Sequence, residues 1–150
     1  MPAFSAVAIF CEDIREEKSG QDIIIGTMLD NVHVQGLANP PAGALPMLAR
    51  LGTYLRIHFP TEGAEPKEVS AKLIDAHGAL MTHTTWPNAI IQKAFSDSKT
   101  NQMPLVGLIM KAIVGPLPIA APGKITVVVT VDGQELIAGA VNIVLVSPSA

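Results

Sequence analysis

One stretch, KITVVVTVDGQELIAGAVNIVLV over residues 124–146, constrains the fold more than any other. Two β-branched runs flank Asp132-Gly133, a dipeptide suited to the positive backbone angles of a type I′ turn, so the stretch predicts a tight β-hairpin. Ile125, Val127, Val129 and Val131 share one face by the two-residue period, while Thr126 and Thr130 share the other with Val128 between them. Gly139 inside the second run marks a bulge or a close backbone approach.

The same grammar recurs upstream. EVSAKLID and LMTHTTW flank residues 76–79, with Gly78 available for positive φ, and predict a second hairpin in which Asp75 faces Leu80 and His83 faces Lys72. In TYLRIHF, Leu55, Ile57 and Phe59 alternate with Tyr54, Arg56 and His58, the pattern of a half-solvated strand. FSAVAIFCEDIR and DIIIGTMLDNVHV predict a third hairpin around residues 17–21. With Glu17 opposite Asp22, Arg15 faces Ile24, Asp13 faces Gly26 and Cys11 faces Met28. GLANPPAGALPM is too rich in proline for a helix or a central strand and reads as a crossing loop. Ile90, Ile91, Ala94 and Phe95 predict a short helix near residues 88–96, SDSKTNQ an exposed loop, and LVGLIMKAIV a buried strand.

These elements predict a single all-β domain over residues 1–150. Its expected form is an immunoglobulin-like two-sheet antiparallel sandwich of about seven strands, with a small barrel as the alternative. A chain of this length buries enough surface to need no staple. The single cysteine, Cys11, forms no internal bridge and suits a reducing compartment, so cytoplasmic residence is expected. The apolar N-terminal stretch has no preceding Lys or Arg and runs directly into acids, a poor signal peptide. No stretch reads as a membrane span, because the longest uncharged run carries Pro40, Pro41 and Pro46. A formal charge of −3 with few aromatics argues against nucleic acid. Only 15% of residues are charged against 49% hydrophobic, below the roughly 25% charge of ordinary soluble domains. Such a chain is short of polar surface, which points to a homo-oligomer or an assembly component.

The segment FCEDIREEKSGQDIIIG resembles the start of a family of uncharacterised bacterial and phage-borne proteins that begin Phe-Cys-Glu-x-x-Arg-x-Glu, followed by Gly and an apolar strand. PGKITVVVTVDG is similar to that family's closing hairpin. The resemblance implies a compact β-sandwich. The family lacks an assigned activity, so no catalytic residue carries over.

The acidic cluster is the main chemical candidate. Glu12, Asp13, Glu16, Glu17 and Asp22 lie within eleven residues, offset by Arg15 and Lys18. Five carboxylates could hold a divalent cation or do acid-base work, but a charged hairpin end that discourages edge pairing is the commoner arrangement. Glu12, Asp13 and Arg15 are therefore read as a structural polar cluster, with Asp13 and Arg15 able to pair. Glu12 is expected on the apolar side, accepting hydrogen bonds from a loop or from Arg50 or Arg56. For a metal, His77 and His83 flank one turn but need a third ligand from elsewhere, and surface histidines are the preferred reading. Carboxylates beside Cys11 suppress its thiolate, so a buried core residue is favoured over a nucleophile. No nucleophile elbow, phosphate loop or His-Glu-x-x-His pattern is present.

The sequence thus favours a non-catalytic module acting through protein contacts, with no catalytic residue and no cofactor. One alternative is a small hydrolase or metal-dependent enzyme built on the N-terminal acids and a histidine, which requires those groups to converge in one cleft. Another is a small-ligand binder at a sandwich end formed by Pro40, Pro41 and residues 96–102.

Overall fold

Alternation of apolar and polar side chains decides which face of each strand meets the core. In this computed structural model, which describes residues 3–147, the chain runs β1 (Ser5–Glu16), β2 (Asp22–Met28), β3 (Asn31–Gln35), β4 (Met47–Leu48) and β5 (Leu51–Pro60). It continues through β6 (Val69–Ile74), β7 (Leu80–Thr85) and one helix, α1 (Asn88–Thr100). β8 (Leu105–Val114), β9 (Leu117–Pro118), β10 (Gly123–Val131) and β11 (Gln134–Val146) complete it. A first sheet has the order β2-β1-β5-β8 and a second the order β3-β11-β10-β6-β7, while β4 and β9 form a separate pair. Leu55, Ile57 and Phe59 of β5 belong to the same buried cluster as Val127, Val129 and Val131 of β10. Each such side chain contributes roughly 1.5–3 kcal/mol by leaving water. The all-β sandwich follows from that two-sided burial.

The closing hairpin forms as the sequence predicts. Asp132 and Gly133 take φ of 46° and 84°, the type I′ signature, and Val131 pairs with Gln134. The ladder slips between Val127 and Val128, which face Gly139 and Ile137, so Ala138 is the extra residue of a bulge. Gly139 also meets a neighbour: a Cβ there would lie 3.1 Å from the Ala8 carbonyl oxygen of β1.

Both other hairpins are one residue tighter in the loop than expected, for one shared reason. Glu17 N–H donates to the Gln21 carbonyl and Gly20 takes φ +83°, leaving a three-residue loop with a left-handed glycine last. The register therefore places Asp13 opposite Ile25, Arg15 opposite Ile23, Cys11 opposite Thr27 and Phe10 opposite Met28. Likewise Asp75 N–H donates to Ala79, with Gly78 at φ +78°. There, a ladder irregularity after Leu73 offsets the shorter loop, so Lys72 still faces His83 as expected.

Three further expectations change. DIIIGTMLDNVHV is two strands, because the chain leaves the first sheet after β2. β3 then joins the second sheet parallel to β11, anchored by Asn142 N–H on the Asp30 carbonyl. This split and the short β4–β9 pair raise the strand count above seven, and the sandwich is not wholly antiparallel. The end of the Pro/Gly loop is pinned rather than free, since Met47 and Leu48 pair with Pro118 and Leu117. Finally, α1 continues past residue 96. Ile91 and Phe95 bury one face, Phe95 lies 5.8 Å from the Phe59 ring, and Lys93 pairs with Asp97 one turn on. Gln102, at φ 54°, closes the helix while Gln102 and Met103 N–H groups donate to Lys99 and Ser98 carbonyls. No helix among the described residues is long and apolar enough to cross a membrane.

Candidate functional site

Strand β8 decides what the outside of the first sheet looks like. Val106, Leu108 and Met110 face the core, so the alternate set, Leu105, Ile109 and Ile113, faces outward and stays exposed. The expected fully buried strand is thus buried on one side only. Register aligns Val7 of β1 with Arg56 of β5 and Ile109 of β8, and Ile9 with Tyr54 and Lys111. Val7 is 60% exposed, Leu105 51% and Ile109 46%. The outward face of the second sheet is different. Its rows run Glu135, Thr130, Ser70, Thr85 and Ile137, Val128, Lys72, His83, with an ion pair between Lys72 and Glu135.

Two acids of the cluster, Glu16 and Asp22, lie over the first of these faces. Lys111 Nζ donates to Glu16 and, at 2.9 Å, to Asp22. Lys111 belongs to the row of Ile9, and a straight β1 would carry Glu16 about 23 Å beyond that row, at roughly 3.3 Å per residue. The β1–β2 hairpin must therefore fold back across the outer face. It leaves β5 after the Cys11–Gly52 pair, and beyond that point Gly26, at φ +66°, packs against Glu12. Gly52 has room for nothing else, since a Cβ there would lie 2.7 Å from Cys11 Sγ. Burial, with the Asp13 charge second, pushes the Cys11 thiol up, the wrong direction for a nucleophile. The hydrogen bonds to Glu16 and Asp22 push the Lys111 ammonium up to about 12. Tyr54, hydrogen-bonded to Asp22, is raised by burial first and by that carboxylate's charge second.

Asp13 takes the partner expected for Glu12. Arg50 donates to Asp13 Oδ1 at 2.8 Å, and Arg15 lies 3.5 Å from Asp13 Oδ2. Glu12 instead is exposed and lines a cleft of about 430 Å³ with His33, Asn31, Met28 and Arg50. An acid and an imidazole therefore share a concavity, but no serine, threonine or cysteine lines it. His83 lies on the outward row of the second sheet opposite Lys72, and His77 lies on the β6–β7 loop. Among the described residues no group of three His, Cys, Asp or Glu is placed to hold a metal ion.

The expected ligand mouth does not form. The Pro/Gly loop ends beside the start of β5, whereas residues 96–102 adjoin its far end, where Thr61 binds Pro104 and Met103 carbonyls. A ten-residue strand, about 33 Å long, separates them. A second concavity of about 300 Å³ lies between the β6–β7 loop, residues 117–125 and Ile143. Sequence reasoning missed Lys111, and it paired neither Tyr54 with Asp22 nor His33 with Glu12. The signal for Lys111 was present: a lysine in the odd-numbered set of LVGLIMKAIV marks that set as the outward one.

A family model described as a family of unknown function, DUF6941, matches residues 6–144. No curated protein matches the chain.

Proposed function

We propose, from the premise that the chain belongs to the family of unknown function DUF6941, that it is a non-catalytic β-sandwich module that associates with a second copy of itself through the outward face of its first sheet. One observation carries this reading: Val7 and Ile9 on β1 and Leu105, Ile109 and Ile113 on β8 expose apolar surface on either side of the polar outward residues of β5. Exposed apolar side chains gathered on one face among polar groups mark contact sites.

Charge favours a second copy as the occupant. The folded-back hairpin carries Glu16 and Asp22 to the row of Ile9 and Lys111, while Arg56 and His58, 3.2 Å apart, occupy the next two rows of β5. A two-fold axis lying between the stacked sheets, parallel to them and perpendicular to their strands, sets the basic groups of each copy toward the acidic arm of the other. That is the self-complementarity an isologous interface needs. Sheets stacked in this way lie about 10 Å apart, close enough for Val7 and Ile109 to interdigitate. We read the layering as immunoglobulin-like, supported by sheets of four and five strands around one core. Cytoplasmic residence in a bacterial or phage setting goes with this reading, supported by a lone buried thiol and by the N-terminal motif.

Light scattering tests the association. The chain at micromolar concentration should have the mass of a dimer, and Ile109→Glu should give a monomer with an unchanged circular dichroism spectrum. A monomeric parent protein would sink the reading.

The Glu12–His33 cleft supports a second reading, water-mediated acid-base hydrolysis. The contact reading is preferred because Arg50, the cation of that cleft, is engaged by Asp13. Turnover of ester or phosphoester substrates that disappears in both Glu12→Gln and His33→Gln, at unchanged melting temperature, would reverse the preference.

A further inference from the structure

We propose that the open end of the sandwich binds a small apolar carboxylate, an alkyl or aryl acid, at a site apart from the association face. The two ends of the sandwich are finished differently. At one end α1 inserts Ile91 and Phe95 into the core. At the other, β10 starts before β6 provides a partner, since their pairing begins at Thr126 with Ile74 while residues 123–125 pair with β11 alone. The space left there is a cavity of about 300 Å³ that reaches the core side chains Ile119, Ile125 and Ile143, with Met81 and Leu117 as walls. That volume stands at the lower end of small-molecule clefts, about 300–1,000 Å³, which are mostly apolar with a few placed polar groups.

Those groups are Asp75, His77 and Lys124. Asp75 turns one carboxylate oxygen to its own loop, accepting the backbone N–H of His77 and of Ala79 at 2.9 Å each. Lys124 is exposed, and no carboxylate lies within ion-pair distance of it among the described residues. The lining therefore offers an ammonium without an ion-pair partner among the described residues, and an imidazole, around an apolar floor. An amphiphile with a carboxylate head satisfies both. The wall is fixed by Gly123, where a Cβ would lie 2.2 Å from Ala76 Cβ, so only glycine lets the loop close against the strand.

Calorimetry on the full chain, with octanoate, octan-1-ol and octylamine as probes of equal apolar length, tests the assignment. Amide NMR shifts report the location. Octanoate should shift residues 117–125 and bind about tenfold more tightly than either other probe, the scale of one charge-assisted contact. Lys124→Gln, at an exposed position, should remove that preference and leave octanol binding unchanged. Equal or tighter binding of octanol or octylamine would overturn the proposal. So would indifference to Lys124→Gln, or no shift at residues 117–125 with millimolar octanoate.

Discussion

The outward faces of the two sheets are built from strands of similar period and differ in how much aliphatic surface they expose. On the second sheet the alternate positions of β10 and β6 include Thr130, Ser70 and Lys72, while Thr126 and Val128 are buried. On the first sheet the alternate positions of β1 and β8 are Val7, Ile9, Leu105, Ile109 and Ile113, and water meets aliphatic carbon. The first sheet covers part of this surface with its own charged arm, held by Lys111. The lesson is that Glu16, Asp22 and the apolar face belong to one feature: a charged hairpin end folded over a sheet whose β1 and β8 expose aliphatic side chains.

The largest expected difference between the faces is in association. Ile109→Glu should weaken self-association about 100-fold or more, roughly 2.7 kcal/mol, whereas Ile137→Glu, at a still more exposed isoleucine on the second sheet, should leave it unchanged. Sedimentation velocity over a concentration series decides this, and equal effects would erase the distinction. Gly52→Ala comes next. It forces Cys11 out of the space under the arm and should cost about 1–3 kcal/mol as an overpacked substitution, read from urea unfolding.

A smaller effect separates the arm from the sheet. Tyr54 is the only tyrosine, so absorbance at 295 nm titrates one phenol. Its midpoint should lie above the ordinary value and fall in Asp22→Asn, since that carboxylate helps raise it. The sign for stability follows. Both Tyr54 and Lys111 are raised in the folded state. Their contribution is therefore complete below the ordinary values, roughly 10 and 10.4, and is lost as pH rises toward about 12 for Lys111. Alkali should release the arm, and mild acid should not act through these two groups. The smallest effect concerns Thr53, buried with its hydroxyl unpartnered among the described residues. Thr53→Val should raise stability by up to about 1 kcal/mol in thermal unfolding.

Much of the second sheet was legible because its information is local. Asp132-Gly133 names its own turn, and the alternation through Val131 fixes which side is buried. Registers were less legible: a loop ending in glycine at Gly20 or Gly78 fits three or four residues equally well, and only the hydrogen bonds from Glu17 and Asp75 choose. Helix α1 faded from the sequence where its apolar spacing stopped, although Gln102 and Asn101 close it four residues later. In the candidate face, Tyr54, Arg56 and His58 were placed on the solvated side correctly, while β8 misled because both its faces are apolar. Lys111 was the one local sign of which face turns outward, and packing against the second sheet buries the other.

By itself, then, the sequence determined the all-β class, the hairpins, the half-solvated β5 and the shortage of charge, since each depends on neighbours in the chain or on composition. Tertiary structure alone decided that β3 crosses to run parallel with β11, that the acidic hairpin folds back onto Lys111, and that Asp13 rather than Glu12 takes Arg50. Those outcomes depend on which surfaces remain to be covered once both sheets have closed on a shared core, and no local pattern records that balance.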